Sequence, residues 1–147
     1  MEGKHRKVQV VLAARAPSGE WGFLIFKTNK DRGRFWQNVT GSVEDGETYE
    51  EAALREAQEE SALQLENIVD IESLALVETF IDRWKKKVEE HAYLIVLDEQ
   101  WKPTLDPSEH EDWQWVPMSE LNPLSVEWPG NAKALMKSAQ MLKRMGA

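Results

Sequence analysis

Cysteine is absent from all 147 residues, so neither a disulfide framework nor a thiolate metal site can form, and a reducing cytoplasm is the expected compartment. Also missing is any apolar run close to the roughly 20 residues that span a bilayer. The opening stretch, residues 1–14, has basic residues ahead of apolar ones. Gln9 interrupts it and Arg15 closes it before a signal-peptide core is reached, so it reads as a first strand. Low-complexity tracts, internal repeats and Pro/Gly-rich linkers are lacking as well, which predicts one folding unit over residues 1–147. Basic charge is scarce: 18 Lys and Arg stand against 26 Asp and Glu, a formal net charge of −8. That balance argues against nucleic acid or an anionic membrane as partner, since both are held by Lys and Arg. A small phosphorylated substrate stays open, because a divalent cation can bring the positive charge with it.

What is present is a globular composition, 41% hydrophobic and 30% charged. Residues 8–13 and 21–26 are apolar, β-branched or aromatic, and Pro17-Ser18-Gly19 between them is turn chemistry, so they predict a strand pair. A polar loop over 29–34 leads to a short strand at 36–39 and then to Gly41. Over 48–62 the residues become Ala, Glu, Leu, Gln and Arg, with Thr48 and Glu51 spaced as a capping box, which predicts a helix. Strands follow at 74–84 and 88–97, joined around Lys85-Lys86-Lys87 as a solvated turn, and another at 112–116. Ala134, Leu135, Ala139, Leu142 and Met145 near helical spacing predict a helix over 131–145. No regular βαβ alternation is visible, so the expected class is α+β, or an α/β/α sandwich, rather than a doubly wound sheet.

Inside the first helix Glu56, Glu59 and Glu60 are three and four residues apart, which sets three carboxylates on adjoining positions of one face. Like charges so placed repel unless a cation neutralises them, and an oxygen-rich site suits Mg²⁺ or Mn²⁺. Three Glu are also what a solvated helix face looks like, with Arg55 and Glu51 in ordinary surface pairs. The wider pattern decides between the two. GSVEDGETYEEAALREAQEESAL, residues 41–63, runs Gly41, five residues, Glu47, seven residues, Arg55-Glu56, Ala57, one residue, Glu59-Glu60. Six such matches have a chance probability on the order of 10⁻⁸ per starting point at average residue usage, so coincidence is a poor explanation. The segment resembles the Nudix box. It departs at Ala62, where the family pattern has a Gly suited to the left-handed turn that ends a helix.

The resemblance implies a Nudix-type α/β/α sandwich with a mixed β-sheet and a hydrolase acting on a phosphoanhydride. It carries Glu56, Glu59 and Glu60 over as metal ligands, adds the Gly41 carbonyl, and makes Glu47 and Arg55 the ion pair that steadies loop against helix. Mg²⁺, or Mn²⁺, would neutralise phosphate oxygens while a water attacks one phosphorus in line. Glu109, in the polar loop 106–112, is the first candidate for the base and for a further metal ligand, with Glu111 second. His110 has the chemistry of a base near neutral pH, though a lone loop His is most often solvent-exposed. His91, on a strand, reads as structural.

Residues 35–48, FWQNVTGSVEDGET, with 108–116, SEHEDWQWV, are similar to the dihydroneopterin triphosphate pyrophosphohydrolase branch of the family. That implies a pterin or nucleoside triphosphate as small-molecule substrate and pyrophosphate as product. Trp36 either stacks on a flat ring or packs in the core, and Gln37 either bonds a ring edge or lies on an exposed face. Lys27, then Arg6 and Arg34, are the cations expected to meet phosphates. Trp113 and Trp115 share one strand face and read as core. Trp101 and Trp128 stand in loop-like contexts where a dimer contact is one use; monomer and homodimer both stay open. The alternatives are a Nudix hydrolase of nucleoside diphosphate sugars or dinucleoside polyphosphates, and a non-catalytic nucleotide-binding Nudix module. The retained carboxylates Glu56, Glu59 and Glu60 speak against the last, and the lack of a basic stripe speaks against capped RNA.

Overall fold

The computed structural model describes residues 5–145; the first four residues of the opening stretch and the last two of the chain lie outside it. The described residues form strands β1 (His5–Arg15), β2 (Trp21–Thr28), β3 (Trp36–Gln37) and β4 (Val39–Ser42), then helix α1 (Tyr49–Ser61). Strands β5 (Ile68–Ile81), β6 (Lys87–Leu97) and β7 (His110–Pro117) follow, and helix α2 (Pro129–Arg144) closes the order. One mixed sheet holds all seven strands. β1 runs parallel to β6 on one edge, and on the other it pairs antiparallel first with β4 and then with β2. β2 carries β3 and β7, and β5 lies outside β6.

The alternation along β1 and β2 dictates the layers, since successive strand side chains point to opposite faces. Val11, Ala13, Phe23 and Ile25 go to one face, against Leu135, Ala139 and Leu142 of α2. Val8, Val10, Leu12, Leu24 and Phe26 go to the other, against Ala52, Ala53 and Ala57 of α1. β1 is covered on both sides, which is why its sequence reads as an almost unbroken apolar run. Each fully buried aliphatic or Phe side chain there contributes about 1.5–3 kcal/mol. The α+β sandwich expected from the sequence is the architecture found. Among the described residues no helix is long and apolar enough to cross a membrane.

Most strands run a few residues beyond their expected bounds, and four differences have a plain physical cause. The strand at 36–39 is two, broken at Asn38, whose backbone N–H leaves the ladder to donate to Asn131 Oδ1 at 3.1 Å while its Nδ2 donates to Gln9 Oε1 at 3.0 Å. β5 begins at Ile68, earlier than its apolar residues announce, because β6 supplies a ladder partner that far back. Its hairpin tip includes Trp84: Asp82 Oδ1 accepts the N–H of Trp84 at 2.8 Å and of Lys86 at 2.9 Å, ending the strand. α2 starts two residues early on Pro129, a residue suited to the first helical position.

Candidate active site

α1 opens with its capping box formed: Thr48 Oγ1 accepts the Glu51 N–H at 3.1 Å, and Glu51 Oε1 accepts the Thr48 N–H at 2.9 Å. It closes on Ala62 at φ 58°, ψ 29°, the left-handed conformation that glycine adopts freely. The substitution therefore leaves the turn in place and strains it. Trp101 helps to hold that exit, donating Nε1–H to the Ser61 carbonyl at 2.9 Å and standing edge-on to Trp115. Trp101 is thus engaged within its own chain.

The loop between β4 and α1 is fastened by one guanidinium. Arg55 Nε and Nη2 donate to the two carboxylate oxygens of Glu47 at 2.7 and 2.9 Å, and Nη2 also donates to the Ser42 carbonyl at 2.8 Å. This fork geometry is the strong form of an ion pair. It holds the Glu47 carboxyl down at about 2 and raises Arg55 above its ordinary range.

One turn along, Glu56 and Glu60 are both largely buried, their side chains 14% and 4% exposed. The Glu56 carboxyl lies directly over Gly41, where a Cβ would run into it, so only glycine suits β4 at that point. Burial lifts the Glu56 carboxyl even though Arg55 Nη1 donates to it at 2.9 Å. Glu60 is pushed up to about 10, by burial first and then by the charges of Glu109 and Glu56. Its Oε1 is buried with no hydrogen-bond partner, and so is His110 Nδ1, 3.9 Å away.

Glu59 stands apart. It is 58% exposed and turned to Arg55 Nη1 at 3.3 Å, and among the described residues no three acidic or histidine side chains already converge on one point. The expectation of three helical carboxylates as one platform needs this correction: Arg55 draws Glu59 aside, and the nearby charge of Glu109 is what Glu60 feels. The donor set nonetheless fits a hard divalent cation. An acidic pair with an orphaned buried oxygen, a third carboxylate nearby and a backbone at Gly41 bare of side chain are what such an ion neutralises and uses.

Other candidates fall elsewhere. His110 is buried rather than solvent-exposed, since it begins β7 against Phe26; burial drops its ring to about 4, so it is neutral. Lys27 and Arg34 both pair with Glu111, at 3.7 and 3.3 Å. Arg6 lies over the Tyr49 ring and donates to the Glu47 carbonyl at 3.4 Å, bracing the loop. Tyr49 in turn stacks on His91, which is bonded to Glu89. The cation whose charge reaches Glu60 and His110 is Arg32, which the sequence reading passed over.

On the α2 face a cavity of about 610 Å³ opens, with Lys7, Gln37, Phe80, Glu90, Trp128 and Asn131 in its lining. Gln37, 8% exposed, belongs to both places: it lines the cavity, and its Nε2 lies 3.2 Å from His110 Nε2. Trp36 packs on the α2-side core, so the aromatic wall is Trp128 instead. Lys7, Glu90 and Asn131 were also missed. The signal for Glu90 was its place in the strand alternation, a charged residue on the same face as the apolar Val88, Ala92 and Leu94.

The NUDIX domain profile matches residues 4–137, and the chain belongs to that family of hydrolases, which generally use divalent metal ions. It is 32% identical over 131 residues to a dihydroneopterin triphosphate diphosphatase of Haemophilus influenzae, covering 82% of this chain and 81% of that one. A second relative, an octanoyltransferase of Myxococcus xanthus, is 31% identical over 109 residues; the match covers 72% of this chain but spans only 29% of that protein's length. In fold, the chain superposes on the Ap4A hydrolase of C. elegans with a TM-score of 0.78 at 20% identity, over 95% of this chain and 98% of the other.

Proposed function

We propose that this chain is a Mg²⁺-dependent pyrophosphohydrolase that converts dihydroneopterin triphosphate, or a nucleoside triphosphate, to the monophosphate and pyrophosphate. The observation that carries the reading is the adjacency of two features. Glu60, beside the Glu56 that lies over Gly41, has its Oε1 3.9 Å from His110 Nδ1, and the other ring nitrogen of His110 is hydrogen-bonded to Gln37, which lines an aromatic-walled cavity. The Haemophilus influenzae relative supports the pterin as substrate.

In this reading Glu56, Glu60, Glu109 and the Gly41 carbonyl would hold the cation, with Glu59 joining them once it turns from Arg55, and the cation would supply neutralisation of phosphoryl oxygens and acidification of water. Everything else falls to the chain. Glu47 and Arg55 fix the loop on the helix, so that Gly41 and Glu56 keep their contact. Arg32, whose charge reaches Glu60, offsets the charge of the phosphate tail. Glu109, partly exposed and beside Glu60, accepts the proton of the attacking water as the new P–O bond forms. The bridging P–O bond breaks and pyrophosphate leaves. His110, neutral and bonded to Gln37, excludes water behind Glu60.

A substrate panel with separate readout of pyrophosphate and phosphate tests this. Triphosphates should yield pyrophosphate, whereas a sugar nucleotide would yield two monophosphates and a dinucleoside polyphosphate two nucleotides. Turnover confined to either of the latter would replace the reading. Glu109→Gln should lower kcat by roughly 10²–10⁴ with little change in KM, and Glu111→Gln by less than about threefold. Equal effects at the two positions would remove Glu109 from its role.

A further inference from the structure

Glu90 is a carboxylate with too few donors. It is 9% exposed, stands on β6 facing the cavity, and among the described residues receives one hydrogen bond, a long one of 3.5 Å from Gln9 Nε2. Its neighbours are fixed. Gln9 Oε1 accepts from Asn38 Nδ2 at 3.0 Å and from Asn131 Nδ2 at 3.2 Å, and Gln9 Nε2 also donates to the Gly130 carbonyl at 3.2 Å. That network turns the Gln9 amide so that it can only donate toward Glu90, leaving the rest of the carboxylate to the cavity. Burial lifts the Glu90 carboxyl above its ordinary range; Lys7, its partner across the strand ladder, pulls it back toward the charged form, and Glu78 adds to the rise. Phe80, Ile81 and Trp128 supply apolar and aromatic wall. A buried acid left short of donors is costly, and here it faces a space the size of a small-ligand pocket.

The chemistry that satisfies such a group is a planar ring with two adjacent N–H donors. A 2-amino-4-oxopyrimidine edge has them, a ring N–H beside an exocyclic amine, and pterins and guanine share it. Hypoxanthine keeps the ring N–H but lacks the amine. Adenine would aim a ring nitrogen lone pair at the carboxylate. We infer that Glu90 is a specificity-determining residue that accepts both N–H groups of a 2-amino-4-oxopyrimidine edge while the ring lies against Trp128. This deepens the proposed function and rests on its placing the substrate ring in this cavity.

The test is calorimetric titration of the full chain with GMP, IMP, AMP and 7,8-dihydroneopterin. None of the four has a phosphoanhydride, so the outcome does not depend on hydrolysis. The wild type should bind GMP at least about tenfold tighter than IMP or AMP, and dihydroneopterin measurably, because a site built around hydrogen bonds rejects the ligand that lacks them. In Glu90→Gln, shown folded by its melting curve, GMP should fall to within about threefold of IMP. Equal GMP and IMP binding in the wild type, no binding of any of the four, or a GMP preference that survives in folded Glu90→Gln overturns the inference. If the variant does not fold, the wild-type comparison of GMP with IMP decides alone. A GMP preference without triphosphate cleavage would sink the proposed activity and spare Glu90; the reverse outcome would do the opposite.

Discussion

Ala62 adopts a left-handed backbone at φ 58°, which costs an L-residue roughly 1–2 kcal/mol. Restoring glycine relieves that strain but adds freedom to the unfolded chain, so Ala62→Gly should stabilise by about 0.5–1 kcal/mol in denaturant titration, with activity unchanged. A loss of stability would show that the Ala62 methyl makes a contact worth more than the strain. Glu60 makes the sharper case. Its carboxyl is pushed up to about 10, so the folded state holds a proton that the unfolded chain releases near 4.3. Stability in chelator should therefore fall as pH rises from about 5 toward 9, and Mg²⁺ should restore it most at the upper end. Glu60→Gln should abolish that slope, raise chelated stability at pH 8 by roughly 1–3 kcal/mol, and cut turnover by orders of magnitude. Melting curves with and without Mg²⁺ across pH check it; a wild type indifferent to both would remove Glu60 from the cation site.

At the scale of elements, the unit is β4, its loop and α1, bound by Arg55 to Glu47 and to the Ser42 carbonyl. The Glu47 carboxyl sits at about 2, below its unfolded value, so its contribution is fully present above about 4.3 and is lost as pH falls toward 2. Hydrogen exchange over residues 43–47 should accelerate in that window, and Glu47→Gln should exchange fast already at pH 7. Unchanged protection would mean the ion pair does not hold the loop. This element was legible in the sequence because each job in it admits few residue types at one spacing: a glycine under Glu56, a cap at Thr48, a fork donor at Arg55. The split at Asn38 was not, because it is imposed by Asn131 from the far end of the chain. For the same reason the pairing of Lys27 with Glu111, which Arg34 shares, could not be read in advance.

At the scale of the molecule, the sheet separates two tasks and one corner joins them. The carboxylates hang on the α1 face, the cavity opens on the α2 face, and Gln37 near the break between β3 and β4 lines the cavity and bonds His110, the neighbour of Glu60. The layered class followed from the alternation of apolar residues and the absence of a βαβ rhythm, so it could be read in advance. The cavity could not: Lys7, Glu90 and Asn131 come from β1, β6 and α2, and only the parallel pairing of β1 with β6 and the docking of α2 bring them together. The central claim is that the two sites work on one molecule, a triphosphate whose ring fills the cavity while its phosphates reach Glu56 and Glu60. The most direct test is pyrophosphate release from dihydroneopterin triphosphate, followed with Mg²⁺, with chelator, and with Glu60→Gln. Stoichiometric pyrophosphate with Mg²⁺, none in chelator and a loss of roughly 10³-fold or more in the variant is the predicted result. Turnover that survives the chelator, or a triphosphate left intact while other phosphoanhydrides are cleaved, would contradict it.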